Sequence, residues 1–253
     1  MLRRTKEQVL DLPKKIRTPI YLEFDSSQKK RYVNAIDDKF QELFDKMQVD
    51  EDYNPDLEKG SKFIELAAMR MFTAQEKIKD GSTLEAIENV LEEGKKIVVF
   101  TNFTSIIDLL TAELDKKNIS SLFIDGRIKV EERQKRMDLF QSKTGPSVFI
   151  CNSQVGAFGI TLTAAEVALI NDLPWEPSTL QQEEDRIYRI GQTKIVNILY
   201  PIYSGTVDED MFEVLREKIA NIDIAIEGKK EYTKFSSKDV MSEVYTRTHN
   251  KKL

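Results

Sequence analysis

One cysteine, Cys151, and one histidine, His249, stand in a chain of 253 residues. A lone cysteine excludes an internal disulfide and points to a reducing, intracellular compartment, cytoplasm with nucleoid or nucleus. One Cys with one His also removes the usual tetrahedral zinc sites. It removes Ser-His-Asp and Cys-His catalysis as well, unless the near-terminal His249 folds back onto a nucleophile. Long hydrophobic runs are missing. The longest are strand-sized, such as Ile97 to Phe100, so no segment is expected to span a bilayer. Met1-Leu2-Arg3-Arg4-Thr5-Lys6 has no apolar stretch behind it, and no signal peptide is expected. Internal repeats and low-complexity tracts are absent.

Two further absences concern nucleotides. No Gly-x-x-x-x-Gly-Lys-Ser/Thr occurs. Gly94-Lys95-Lys96 and Gly228-Lys229-Lys230 lack both the upstream glycine and the hydroxyl, which excludes a phosphate cradle of the P-loop type. No buried strand ends in an acidic pair suited to magnesium. Asp50-Glu51-Asp52 falls in a loop, and Asp208-Glu209-Asp210 opens a helix, where acids favour the dipole. No metal-ligating set is expected. The net charge of −5 excludes a protein that coats nucleic acid with its whole surface. It leaves room for a narrow phosphate-binding track, which needs only a few donors in one cleft.

What is present falls into four stretches. Residues 1–25 are basic and broken by Pro13 and Pro19, and read as a linker. Residues 26–94 read as a helical subdomain. Tyr32, Ile36, Phe40, Leu43, Phe44 and Met47 recur at three- and four-residue steps, as do Phe63, Leu66, Ala67, Met69 and Phe72. An acidic loop is expected between these stripes, from Asp50 to Gly60. Ser82-Thr83-Leu84-Glu85 reads as a capping box, and Gly94 closes the helix it opens. From Lys95 the period changes. Ile97 to Phe100, Ser121 to Ile124, Ser147 to Cys151, Val167 to Ile170 and Ile195 to Ile202 read as strands, alternating with helices. Ser178 to Gln181 reads as one helix start and Thr206 to Glu209 as another, with the latter helix reaching Ile226. This alternation predicts an α/β fold over 95–228: a parallel sheet with helices on both faces. Residues 229–253 read as a tail with a last helix from Ser237 to Tyr245 and a frayed end. In such sheets, function gathers in the loops beyond the carboxyl ends of the strands.

Those loops hold the informative side chains: Thr101-Asn102, Asp125-Gly126-Arg127, Ser153 through Gly156 and Gly159 to Thr163, and the stretch after Trp175. Arg186 and Arg189, three apart, would share one face of a helix. Both guanidinium groups could then converge on one phosphate. An Arg pair on a helix is more often a solvated face, and the glycines could equally serve an ordinary strand-to-helix turn. Cys151 reads as core and Trp175 as a packing residue.

Taken together, these segments resemble the motifs of the Swi/Snf branch of superfamily 2. Gln182-x-x-Asp185-Arg186-x-x-Arg189-Ile190-Gly191-Gln192 is similar to that family's last motif, with Trp175-x-Pro177 at the family's spacing before it. Val155-Gly156-Ala157-Phe158-Gly159-Ile160-Thr161-Leu162-Thr163 is similar to its glycine-rich motif, with Val155 and Ala157 in place of the usual Ala and Gly and Thr161 in place of a frequent Asn. Ile124-Asp125-Gly126 and Lys96 to Phe103 match two more. The resemblance implies a RecA-like second motor lobe, with a helical N-terminal insertion and C-terminal helices, of an ATP-dependent double-stranded-DNA translocase. It implies arginine fingers at Arg186 and Arg189, with Gln182 beside the same phosphates and Gly159, Thr161 and Asp185 near ATP. It implies DNA-backbone contacts by Thr101, Asn102, Arg127, Ser153 and Gly156. ATP and Mg2+ would be held mainly by a first RecA-like lobe, which would be the partner of this one besides duplex DNA. The chain alone would then not turn over ATP. A non-catalytic DNA- or protein-binding module and an RNA helicase lobe are the alternatives.

Overall fold

The computed structural model describes residues 12–34, 55–156, 160–226 and 235–250. In chain order its elements are strand β1 (Lys15–Leu22), helix α1 (residues 26–34), α2 (Pro55–Lys79), α3 (Ser82–Glu92), β2 (Ile97–Thr101), α4 (Thr104–Lys116), β3 (Ser121–Ile124), α5 (Val130–Gln141), β4 (Val148–Asn152), the one-turn α6 (Ser153–Gly156), β5 (Val167–Ile170), α7 (Pro177–Ile187), β6 (Val196–Tyr203), α8 (Val207–Ile226) and α9 (Ser237–Asn250). Six strands form one sheet in the order β1-β6-β5-β2-β4-β3. Every pairing is parallel.

The inner strands β2, β4 and β5 are buried at every position, as their unbroken apolar runs require for a sheet covered on both faces. Alternate residues divide between two cores. Val98, Phe100, Phe149, Cys151, Ala168 and Ile170 pack on one face with Phe140 of α5, Leu180 and Ile187 of α7, and Val207, Met211, Val214 and Leu215 of α8. Ile97, Val99, Val148, Ile150, Val167 and Leu169 pack on the other with α3, α4 and the end of α2.

Several sequence readings are corrected. The basic stretch read as part of a linker contains β1, an edge strand paired with β6 from Lys15↔Val196 to Leu22↔Tyr203. An edge position tolerates Pro19 because the lost N–H need not serve a ladder. The helical segment contributes to the sheet's cores rather than to one of its own: Leu66 and Met69 of α2 share a cluster with Phe100, and Ala74 and Ile78 share one with Val99. Part of the expected acidic loop is helical, since α2 begins at Pro55; residues 35–54, with the stripe from Ile36 to Met47, lie outside the described residues. The capping box at Ser82 does not form. Gly81 is the N-cap at φ 89°, and the Asp80 carboxylate accepts from the Ser82 N–H at 2.9 Å. Helix α7 starts one residue earlier than read, with Pro177 in its first turn and no side-chain cap. Thr206 does cap α8: its Oγ1 accepts from the Asp208 N–H at 3.2 Å, and Glu209 reaches back to the Gly205 N–H at 3.0 Å. The last helix runs to Asn250, past Tyr245.

Candidate nucleotide- and DNA-facing rim

The carboxyl ends of β2, β5 and β4 lie side by side, so their loops form one rim. Asp172, 1% exposed, organises it. Its carboxylate accepts from the Thr101 hydroxyl, from the Asn102 N–H at 3.0 Å and from Asn102 Nδ2 at 2.7 Å. Asn152 Nδ2 donates to the Asn102 carbonyl at 3.3 Å. The loop after β2 is thereby fixed to the ends of both neighbours.

Helix α7 carries the arginine motif along the same rim. Its inner side is anchored by Glu184, whose side chain is fully buried. Glu184 accepts from Lys15 Nζ at 2.7 Å, from Arg17 Nε at 2.7 Å and Nη2 at 2.6 Å, and from the Tyr200 hydroxyl at 2.5 Å. Burial alone would raise this carboxyl; hydrogen bonding by Arg17 and the charges of Lys15 and Arg17 hold it below the usual range. The next residue inward, Glu183, is the opposite case. Burial pushes it up to about 8, and Ser153 beside it offsets this only in part. Neither Glu183 oxygen, nor Ser153 Oγ, nor Arg186 Nε has a hydrogen-bond partner of normal geometry.

Arg186 lies in the last turn of α7, only 9% exposed. Burial, together with the nearby charge of Arg189, lowers its affinity for its proton. No carboxylate pairs with it among the described residues. Arg189 is not on the helix, which corrects the shared-face expectation. Tyr188, with ψ 77°, ends α7, and the chain then turns through Gly191 at φ 100°, a backbone region that L side chains avoid. Arg189 is exposed, and its Nη1 donates to Thr161 Oγ1 at 3.1 Å. Gln192 closes the turn. Its Nε2 donates to the carbonyls of Ile187 (3.2 Å), Ala165 (2.9 Å) and Thr163 (3.2 Å). Its Oε1 accepts from the N–H groups of Thr193 and Lys194, both at 3.0 Å. The Arg186 carbonyl accepts from Leu162 N–H at 2.9 Å. The two arginines and the 160–165 loop are therefore held as one piece.

The remaining candidates separate. Gln182 is exposed and Asp185 half-buried on the outer side of α7, with Asp185 4.0 Å from Lys15 Nζ. Asn102 is partly exposed on the rim. Thr101 is 0% exposed, which corrects its reading as a DNA contact: its hydroxyl is spent on Asp172. Ser153 is 3% exposed and faces the protein, against the expected DNA contact. Arg127 is half exposed but is engaged by carboxylates, Asp108 at 2.7 Å and Asp125 at 2.6 Å; these hold its pKa above the ordinary arginine value. Gly156 ends α6, and Gly159 lies outside the described residues. Sequence reasoning missed Lys15, Arg17, Arg70, Asp172 and Glu184. Only Arg70 carried a signal, a cation set between Met69 and Met71 on an apolar stripe. Among the described residues no group of acids, His and Cys could hold a metal, and no helix is long and apolar enough to cross a membrane.

Residues 82–191 match the helicase conserved C-terminal domain. An uncharacterized ATP-dependent helicase of Mycoplasma genitalium is 32% identical over 226 residues, 86% of this chain and 21% of that protein. The SWI/SNF-related matrix-associated actin-dependent regulator of chromatin subfamily A-like protein 1 of Xenopus tropicalis is 36% identical over 163 residues, 63% of this chain and 17% of that protein. The chain thus spans about a fifth of the length of these relatives. Among solved structures, the Sulfolobus solfataricus SWI2/SNF2 ATPase core in complex with dsDNA aligns with TM-score 0.65 and 26% identity, over 96% of this chain and 53% of that one. The C-terminal part of the Fun30 ATPase domain aligns with TM-score 0.64 and 19% identity, over 95% of this chain and 99% of that one, a likeness of fold. The sheet of six parallel strands, the order of the rim motifs and these matches agree: the chain belongs to the SWI/SNF family, as its RecA-like helicase C-terminal lobe.

Proposed function

We propose that this lobe is the second half of an ATP-driven double-stranded-DNA translocase, and that it supplies arginine fingers to a nucleotide held by a first lobe. One observation carries the reading. Arg186 is almost buried at the rim with an unpartnered Nε and no carboxylate partner among the described residues. A largely desolvated guanidinium with no carboxylate at ion-pair distance among the described residues, only the more distant Asp185 and Glu183, is costly, and an anion delivered from outside the lobe relieves that cost. Phosphoryl oxygens fit, because they match the guanidinium fork and accumulate charge during transfer. Gly191 and Gln192 preset the chain so that Arg189 stands beside Arg186. Ile190, 71% exposed, offers an apolar contact to a facing lobe.

ATP with Mg2+ would supply the transferable phosphoryl group. The lobe's own residues would only complete its surroundings: Arg186 and Arg189 against the phosphates, Gln182 and Asp185 on the adjoining outer face, and Thr161 orienting Arg189. Asn102 would face one DNA strand's backbone, with Thr101 holding it through Asp172. Arg127 would join in by exchanging a carboxylate for a phosphate, so DNA affinity would fall with salt.

The test is steady-state ATP hydrolysis by the longer protein that contains both lobes. Arg186→Ala and Arg189→Ala are each expected to lower kcat by about a thousandfold, the scale of an arginine finger, and this lobe alone to show no turnover. Wild-type turnover by either variant refutes the role assigned to that residue. Strand-displacement and translocation assays on the same protein separate a duplex translocase from an RNA helicase.

A further inference from the structure

We propose that Arg70, on the helix α2 that precedes the sheet's inner strands, is a positioning residue. It makes the loop after β2 and the approach to α7 move as one, and so couples DNA contact to ATP turnover. The proposal rests on the functional reading above.

Arg70 is 4% exposed, and it touches both loops at once. Its Nη2 donates to the Leu173 carbonyl, 103 residues away in sequence. Its guanidinium lies 3.8 Å from Asp172. One aromatic neighbour is the Trp175 ring, 4.4 Å from the guanidinium carbon, and another is the Phe103 ring at 5.4 Å. Trp175 stands two residues before α7 begins, and Phe103 is the N-cap of α4, directly after Asn102. Asp172, the ion-pair partner, is the residue that holds Thr101 and Asn102.

If the β2 loop shifts, Phe103 leaves the guanidinium, and Thr101 and Asn102 leave the Asp172 carboxylate paired with it. If the approach to α7 shifts, Asp172, the Leu173 carbonyl and Trp175 leave it. Each loop therefore has its preferred position set by the other through this planar cation and the Asp172 carboxylate it pairs with. Only arginine does this, because its flat fork stacks on rings while donating in its plane. A lysine at 70 keeps the charge and loses the stack. Neighbouring polar groups of α2 anchor the helix: Lys77 pairs with Asp208 at 2.6 Å and donates to the Asn171 carbonyl at 2.7 Å, and Thr73 donates to Asp208 at 2.7 Å. The helix is a fixed post against which Arg70 acts.

The experiment measures ATP turnover by the two-lobe protein with and without duplex DNA, for Arg70→Lys, Trp175→Leu and Asn102→Ala. Arg70→Lys is expected to lower the ratio of DNA-stimulated to DNA-free turnover about tenfold, within the usual span of allosteric couplings. DNA-free turnover and the KM for ATP should stay within about twofold. Trp175→Leu, which removes the stack from the other side, should reproduce the effect. An unchanged ratio in both variants overturns the proposal. So does a proportional fall of stimulated and DNA-free turnover, which marks Arg70 as a purely structural residue. Asn102→Ala separates the two layers of the argument. If it lowers stimulation while Arg70→Lys does not, the coupling is wrong and the DNA reading stands. If Arg70→Lys lowers the ratio while Asn102→Ala changes nothing, the coupling stands and the DNA contact lies elsewhere on the rim.

Discussion

Replacing Glu184 by alanine removes the one acceptor shared by Lys15, Arg17 and Tyr200. The carboxylate is fully buried and Lys15 only 11% exposed, so the ammonium is left largely desolvated, with only the more distant Asp185 at 4.0 Å to pair with. Breaking a buried pair in this way costs about 3–5 kcal/mol. Arg17 is 44% exposed and recovers water on losing its partner, so its share is discounted and the low end, about 3 kcal/mol, is expected. For a chain of this size that lowers Tm by about 6–12 °C. The pH dependence has a definite sign. Glu184 is held below its ordinary value of 4.5, so its stabilisation is fully present above that value and is lost as pH falls through the depressed folded-state value. Thermal melts of the purified chain followed by circular dichroism, wild type beside Glu184→Ala, should therefore differ most near neutral pH. The gap should begin to narrow as pH falls below about 4.5, where the unfolded-state carboxyl takes up its proton, and close only below the depressed folded-state value, where the folded carboxyl is protonated too. A simultaneous Lys15→Met, Arg17→Met, Glu184→Met replacement should recover much of the loss, because no unpaired charge then remains buried. A Glu184→Ala chain that melts within a degree of wild type at pH 7 refutes the view that β1 is pinned to α7 by this carboxylate.

Two other titratable groups give independent checks. Glu183 is raised to about 8, so the folded state favours its protonated form, and wild-type stability should decline as pH rises from about 5 to 8; Glu183→Gln should melt above wild type at pH 8.5 and lose that advantage near pH 5, and parallel melts across the range would contradict the assignment. Cys151 is 0% exposed and its thiol is pushed up by burial, so a disulfide reagent at pH 8 should label the native chain far more slowly than the urea-unfolded chain; equal rates would show that β4 is not the closed inner strand described above.

The strands buried on both faces were legible because their apolar runs are unbroken and the helices between them carry a different period. The start of α8 and its cap at Thr206 were legible in the local sequence as well. The rim motifs were legible as a set, although spacing misplaced one member: Arg186 and Arg189 look like helical neighbours, yet Tyr188 leaves the helix. What the chain hid is long-range pairing. β1 reads as a linker because Lys15, Arg17 and Pro19 give it no apolar pattern, and the carboxylate that makes those cations strand residues lies 167 residues away from Arg17. Lys77 was invisible as a buried group, and Arg70 was marked only by its place in an apolar stripe, since their partners follow β5 and open α8. Ser82 and Ser178 imitate caps, but Gly81 and Pro177 set the helix starts instead.

The pairing of the first strand with the last has a temporal side. An edge strand whose neighbour is β6 has nothing to hydrogen-bond with until nearly the whole sheet has emerged and folded. Closure of so distant a contact is slow and entropically expensive. The Lys15–Glu184 anchor would therefore lock late, after the inner strands had already collapsed, and the arginine turn beyond α7 would reach its final set only in that last step.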